Sequence, residues 1–177
     1  MRLLLFLYVT AFITLQVSCS NDKQKPADIL NTASLDSMET YNVPESFNAS
    51  GYRKRPFRLY TCINVSCASC IEKVYIWDSI YQSIGKSPEI AFIPIAQTKD
   101  NFEVFKYLFE NETIKNVRIP FFLDGNSEFT NSNQQLIGNR FDFLLLTDSN
   151  NRVLALEERS DDADQIRKMI ALTKNND

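Results

Sequence analysis

Cys67-Ala68-Ser69-Cys70 stands between two runs of opposite character. Before it, Phe57 to Val65 is apolar and strand-like; after it, Ile71 to Ile84 carries apolar residues at helical spacing. Two thiols two residues apart at such a strand-to-helix turn can close on each other without moving the backbone. The helix start also aims unpaired N–H groups and a partial positive charge at the first sulfur, which favours its thiolate. A free cysteine titrates near ~8.5, and sites of this kind bring it to roughly 3.5–7.5. The same four residues also fit a pair of buried small hydrophobes, or a plain structural disulfide. The flanking pattern favours a redox-type site.

A chain of 177 residues has room for one domain plus extras, and 44% hydrophobic content supplies a core. The formal net charge of -3 offers no electrostatic reason for nucleic acid, and none is expected as a partner. Arg53, Lys54, Arg55 and Arg58 are the only basic run and read as a solvated linker edge. Histidine is absent. That removes Cys-His and Ser-His nucleophile pairs, His-ligated zinc or copper, and haem attachment through CxxCH. No cofactor is expected. Metal delivery by the two thiols is a weak reading, because no histidine completes the coordination set.

The first residues read as a targeting segment. Arg2 gives a minimal positive region and Leu3 to Leu15 an apolar one, too short for a spanning helix of ~20 residues. Leu15-Gln16-Val17-Ser18-Cys19 then resembles a bacterial lipobox, with Gln16 where leucine is usual. The resemblance implies cleavage before Cys19 and its lipidation; an ordinary secretory signal and an uncleaved anchor are the alternatives. Residues 1–18 are thus expected as signal peptide, 19–56 as a flexible tether, and 57–177 as the folded domain. A strand or turn near the tether's end is a candidate for packing on that domain. The folded part is expected in the cell envelope, on the periplasmic side or as an outer membrane lipoprotein, where disulfides can form.

With Cys19 lipidated, Cys62, Cys67 and Cys70 remain. Five extended residues span on the order of 16 Å, whereas bonded cysteines need Cα atoms within ~7 Å. An intact strand therefore disfavours Cys62 with Cys67. Cys62 reads as an inert core thiol, and Cys67 with Cys70 is the natural pair.

From Phe57 the chain alternates. A strand over Arg58 to Val65 leads into the CxxC helix, which Gly85 and Pro88 stop. Ile90 to Ala96 reads as a strand buried on both faces. Thr98 or Asp100 can cap a helix carrying Phe102, Phe105, Leu108 and Phe109. Val117 to Leu123 is a further strand, and Phe129 to Ile137 is weakly helical. Phe141 to Thr147 and Arg152 to Glu157 flank a hairpin turn. A last helix, capped by Ser160 or Asp161, buries Ile166, Met169, Ile170 and Thr173. The order predicts a three-layer α/β sandwich with a mixed sheet. Pro94 and Pro120 each delete a ladder N–H, which puts their strands at or near one edge.

CxxC at the first strand-to-helix turn, a late hairpin and a terminal helix resemble the thioredoxin fold. The extra helix and strand between Asp100 and Leu123 are similar to the insertion of TlpA-like, membrane-tethered thioredoxins, especially lipoproteins of Bacteroidetes type. Phe121-Phe122-Leu123-Asp124 and Phe143 to Asp148 resemble paired strands common in that group. The resemblance covers roughly Phe57 to Thr173 and implies a thiol-disulfide oxidoreductase acting on protein thiols or disulfides, held at the membrane by its lipid. Cys67 would be the nucleophile and Cys70 the resolving thiol.

Two positions depart from the family. Ser66 stands where an aromatic residue usually precedes the motif. The family's cis-proline, six residues before Asp148, falls on Asp142, with Arg140 and Phe141 beside it. Asp142 is a candidate for tuning the thiols, as proton acceptor or by like-charge repulsion on Cys67, though the favoured reading is a solvent-facing strand start. Glu72 and Lys73 read as a solvated helix face that could tune the thiols slightly, and Trp77 with Tyr81 as packing. Both departures favour the rival reading: a non-catalytic, lipid-anchored module whose Cys67–Cys70 bridge is structural.

Overall fold

The computed structural model describes residues 29–84, 87–99, 101–138, 140, 142–159 and 161–174. The residues expected as signal peptide, Cys19, Gly85, Asp100, Phe141 and Ser160 lie outside the described residues.

Strand β2 (Phe57–Asn64) pairs in parallel with β3 (Ile90–Gln97) along its whole length, from Phe57 opposite Ile90 to Asn64 opposite Gln97. Their connection is a short helix α2 (Ala68–Ile71) followed by α3 (Lys73–Ile84). On the far side of β2 lies the antiparallel hairpin β5 (Leu144–Thr147) and β6 (Val153–Glu157). Outside β3 come β4 (Phe121–Asp124), parallel to it, and then β1 (Glu39–Tyr41), antiparallel to β4. The sheet order is β1-β4-β3-β2-β5-β6, a mixed six-stranded sheet. Helix α4 (Glu103–Glu110) joins β3 to β4, so the extra helix and strand expected there are present.

Alternation along the strands makes two cores, because successive side chains take opposite faces. Phe57, Leu59 and Ile63 of β2, with Phe92, Phe121, Leu144 and Leu146, pack against Val74, Trp77 and Ile80 of α3, Phe105 of α4, and Ile166 and Met169 of α7 (Ala163–Thr173). Tyr60 and Cys62 of the same strand join Ile93, Ile95, Phe122 and Leu145 on the other face. There they meet Phe129 of α5 (Glu128–Ser132) and Ile137 of α6 (Gln134–Ile137). Two helical layers enclosing one sheet give the three-layer sandwich.

Residues 29–56 are part of that sandwich, which corrects the expectation of a flexible tether over this stretch. Leu30, Leu35 and Tyr52 are buried in the second core. A 3-10 turn (Ala33–Asp36) and helix α1 (Ala49–Arg53) carry Leu35 and Tyr52. Asn31 and Asn133 fasten the start: the Asn31 N–H donates to Asn133 Oδ1 at 2.7 Å, and Asn133 Nδ2 donates back to the Asn31 carbonyl at 2.8 Å. β1 docks through Tyr41, whose ring lies 6.0 Å from Phe105 and 5.5 Å from Phe109. Such aromatic pairs contribute about 0.5–1.5 kcal/mol each beyond burial. The basic run is also structural rather than solvated. Arg55 donates to the carbonyls of Ser87 and Ile90, Arg53 to that of Leu35, and Arg58 is buried; of the four only Lys54 is exposed.

Pro120 lies just before β4, the second strand from the β1 edge, whereas Pro94 lies within β3, the third strand in. The local pairing explains how Pro94 is tolerated. Phe57 N–H and Val65 N–H donate to the carbonyls of Glu89 and Gln97, so even-numbered residues of β3 point their backbone groups away from β2. On that side the Tyr52 hydroxyl accepts from Phe92 N–H at 2.8 Å and donates to its carbonyl at 2.9 Å. Pairing with β4 begins only at Ile95 opposite Phe122. Pro94 falls between the two, where no partner waits for an N–H.

Three other boundaries shift for similar reasons. The strand expected from Val117 begins at Phe121, because the N–H groups of Arg118 and Ile119 donate to the buried Asp78 carboxylate of α3 at 2.6 and 3.0 Å. For α4, Asn101 rather than Thr98 accepts from a first-turn amide, that of Glu103. α7 is capped by Asp162, which accepts from Asp164 and Gln165, not by its neighbour Asp161.

Asp78→Ala leaves two amides near the core without an acceptor, and hydrogen bonds to a charged group contribute roughly 1.5–3 kcal/mol each. Urea denaturation is expected to show a loss of about 3 kcal/mol at unchanged slope, and Asp78→Asn, which keeps one carbonyl oxygen, a smaller loss.

Candidate functional site

The full-length β2–β3 ladder delivers the chain to the CxxC turn at the carboxyl end of the sheet. Val65 N–H closes the ladder on the Gln97 carbonyl at 2.8 Å. Asn64 then shapes the turn: its side chain accepts from Ser66 N–H at 3.0 Å and its carbonyl from Cys67 N–H at 3.3 Å. Cys67 is the N-cap of α2, in extended conformation, and its carbonyl accepts from the amides of Cys70 and Ile71. Ser66, in the place expected for an aromatic residue, bonds the Thr98 hydroxyl at 2.6 Å and ties the turn to the end of β3.

The two thiols are free, half-buried, and differ in environment. Cys67 Sγ lies 3.2 Å from Ser69 Oγ. Donation from the Cys70 thiol, then from the Ser69 hydroxyl and the Cys70 amide, brings Cys67 down to about 7. These local donors are the leading cause. Burial and the same bond to Cys67 push Cys70 up to about 11. At neutral pH one sulfur is substantially thiolate and its neighbour holds a proton, the arrangement a nucleophile and a reserve thiol need.

Lys73 and Asp142 form an ion pair that reaches from the first turn of α3 to the residue two before β5. Lys73 therefore does not belong to a solvated face, and Asp142 does not simply face water. Asp142 raises Cys70 and Lys73 opposes it. The leading influences on Cys67 are its own neighbours Cys70 and Ser69, so the charge expected beside Cys67 acts on the second thiol. The peptide bonds of the described residues are trans, and Asp142 holds the position expected for a cis-proline.

Cys62 is separated from this pair by the sheet itself. It belongs to the second core, 1% exposed, while Cys70 and Ile71 pack on the first. Burial raises its thiol well above the ordinary range. Among the described residues no group of three or more His, Cys, Asp or Glu side chains could hold a metal ion. Ser69 and the Ser66–Thr98 contact escaped the reading of the sequence; Lys73 was singled out there, but its pairing with Asp142 was not. The spacing of Lys73, one helical turn after Cys70, was the available signal for its place at the site.

No protein-family model matches the chain, and no curated protein matches it. Solved structures do. A thioredoxin-like protein in its oxidized form superposes with a TM-score of 0.55 at 11% identity, over 84% of this chain and 98% of that one. A thiol:disulfide interchange protein from Bacteroides sp. gives 0.50 at 14%, over 68% and 75%. The exposed lipoprotein thioredoxin Etrx1 of Streptococcus pneumoniae gives 0.50 at 10%, over 70% and 88%. These likenesses show the fold, which is thioredoxin-like.

Alkylation of the reduced protein by iodoacetamide, followed by mass spectrometry, reads the asymmetry of the thiols. The rate at Cys67 is expected to rise with pH around a midpoint of about 7, as the thiolate forms. Cys70 should react only toward pH 11, and Cys62 only on unfolding.

Proposed function

We propose that the chain is a thiol-disulfide oxidoreductase of the cell envelope, a TlpA-like lipoprotein anchored through Cys19. The observation that carries the redox reading is the asymmetric thiol pair at the strand-to-helix turn, Cys67 near 7 and Cys70 near 11. Solved structures described as a thiol:disulfide interchange protein and an exposed lipoprotein thioredoxin share its fold and support the reading.

The Cys67 thiolate attacks one sulfur of a substrate protein disulfide. A Cys67–substrate disulfide forms, and the substrate's other sulfur leaves as a thiolate and takes a proton. Cys70 then gives up its proton and attacks Cys67 Sγ. The Cys67–Cys70 disulfide forms and the second substrate sulfur leaves, so the substrate gains two electrons that the protein dithiol loses. The reverse steps oxidise a dithiol substrate. The two thiols act on protein partners without a cofactor; residues 1–18 serve as the signal, and the segment after Cys19 spaces the fold from the membrane.

Cys70 must lose its proton in the second step, and the Asp142 carboxylate is the acceptor we assign to it. Lys73 favours the Cys70 thiolate and Asp142 opposes it. In a Cys67→Ser background, Asp142→Asn is expected to lower the pH midpoint of Cys70 alkylation, because removing a negative charge favours the thiolate. An unchanged midpoint removes Asp142 from the site.

A reduction assay with a disulfide-containing protein tests the chemistry. Cys67→Ser should abolish turnover, while Cys70→Ser should accumulate a mixed disulfide at Cys67 that dithiothreitol releases. A specific observation favours the rival binding module: Asp142, paired to Lys73, occupies the place of the family proline. That reading prevails if the Cys67–Cys70 couple lies below about −300 mV, as inert structural bridges do, and no mixed disulfide forms. Palmitate labelling of the wild type, lost in Cys19→Ser, tests the anchor; equal labelling of both excludes it.

A further inference from the structure

We propose that the cavity beside the start of β2 is a binding site for a small phosphate-class oxyanion, separate from the thiol site. The cavity measures about 230 Å³ and lies between the 3-10 turn, α1, the first residues of β2 and the β5–β6 turn. It therefore sits at the amino end of β2, whereas the CxxC turn follows its carboxyl end.

Charge is the first argument. Arg53, Lys54 and Arg58 line the cavity with a single carboxylate, Asp36, so its wall carries two net positive charges. Arg53 spends its charge on Asp36 at 2.8 Å and on the Leu35 carbonyl at 3.1 Å. Lys54 is exposed at the mouth.

Arg58 is the second and stronger argument. It is only 8% exposed, and its guanidinium is held by neutral acceptors alone, the Ser149 carbonyl at 2.9 Å and the side chain of Asn151. No carboxylate pairs with Arg58 among the described residues. Buried cations are ordinarily paired, because taking a charge out of water is costly. Its Nε is buried and makes no hydrogen bond. The Tyr60 hydroxyl, also fully buried and lining the cavity, lies between Arg58 and Thr147 and interacts with both. The guanidinium carries donors in a planar fork that suits phosphate oxygens.

Two net charges match a dianion better than a single carboxylate. A water occupies roughly 30 Å³ of liquid, so the cavity holds a tetrahedral oxyanion with several waters. Inorganic phosphate and a small phosphate monoester share the chemistry, and titration with each separates them: a monoester such as glycerol 3-phosphate binds more tightly only if the mouth accommodates its organic part.

The test is calorimetric titration of the full-length protein with inorganic phosphate, at ionic strength held constant with chloride. Saturable binding is expected. Lys54→Gln, at an exposed position, is expected to weaken it about tenfold, about 1.4 kcal/mol. Lys115→Gln, exposed and outside the cavity, should leave it unchanged. Arg58→Lys should weaken it further; because Arg58 also holds the β5–β6 turn, its variant is read only alongside Lys54→Gln. Absence of saturable binding, or equal weakening by Lys54→Gln and Lys115→Gln, overturns the proposal.

Discussion

Parallel pairing of β2 with β3 along their full length is the constraint from which the remaining architecture follows. A parallel pair needs a crossover, and here the crossover is the CxxC turn with its helix. The closing bond from Val65 to Gln97 sets where the turn begins, and Asn64 directs Cys67 into the helix cap. The strict alternation of β2 then divides the interior. Phe57, Leu59 and Ile63 face the crossover helix, while Tyr60 and Cys62 face the layer built from the N-terminal segment and α5–α6. Position and chemistry of the thiols are thus consequences of a ladder.

Much of this was legible in the chain because the signals were local. Apolar runs such as Ile90 to Ala96 and the Asp148 to Asn151 turn identify their elements without help from distant residues. What escaped depends on contacts across long sequence separations. β1 has three residues, too few for a period to register, and it is held by aromatic rings of α4. Leu30 and Leu35 lie in a polar stretch whose composition resembles a linker, and Asn133, far along the chain, anchors it. Val117 to Ile119 has strand composition, yet Asp78 takes two of its amides.

The thiol site divides in the same way. Cys67 and Cys70 are visible as a close pair from the motif and its setting. The second thiol's surroundings are not, because Lys73 and Asp142 are brought together by the fold. Reading Asp142 from its strand alone left its partner unknown, and reading Lys73 from its helix alone suggested solvent. The basic run misled for a related cause: arginines with long stems can satisfy carbonyls of neighbouring elements while remaining part of a packed surface.

The placement of Cys62 on the opposite face bears on how the chain acquires its native state. Before the sheet exists, all its thiols share one flexible coil, and Cys62 is close enough in sequence to capture either cysteine of the motif. Such a link would be incompatible with extended β2 and would prevent the crossover from closing. Strand formation thus acts as a kinetic editor. Once β2 is laid between its neighbours, Cys62 is sequestered, and among the described cysteines only Cys67 and Cys70 stay within reach of an oxidant.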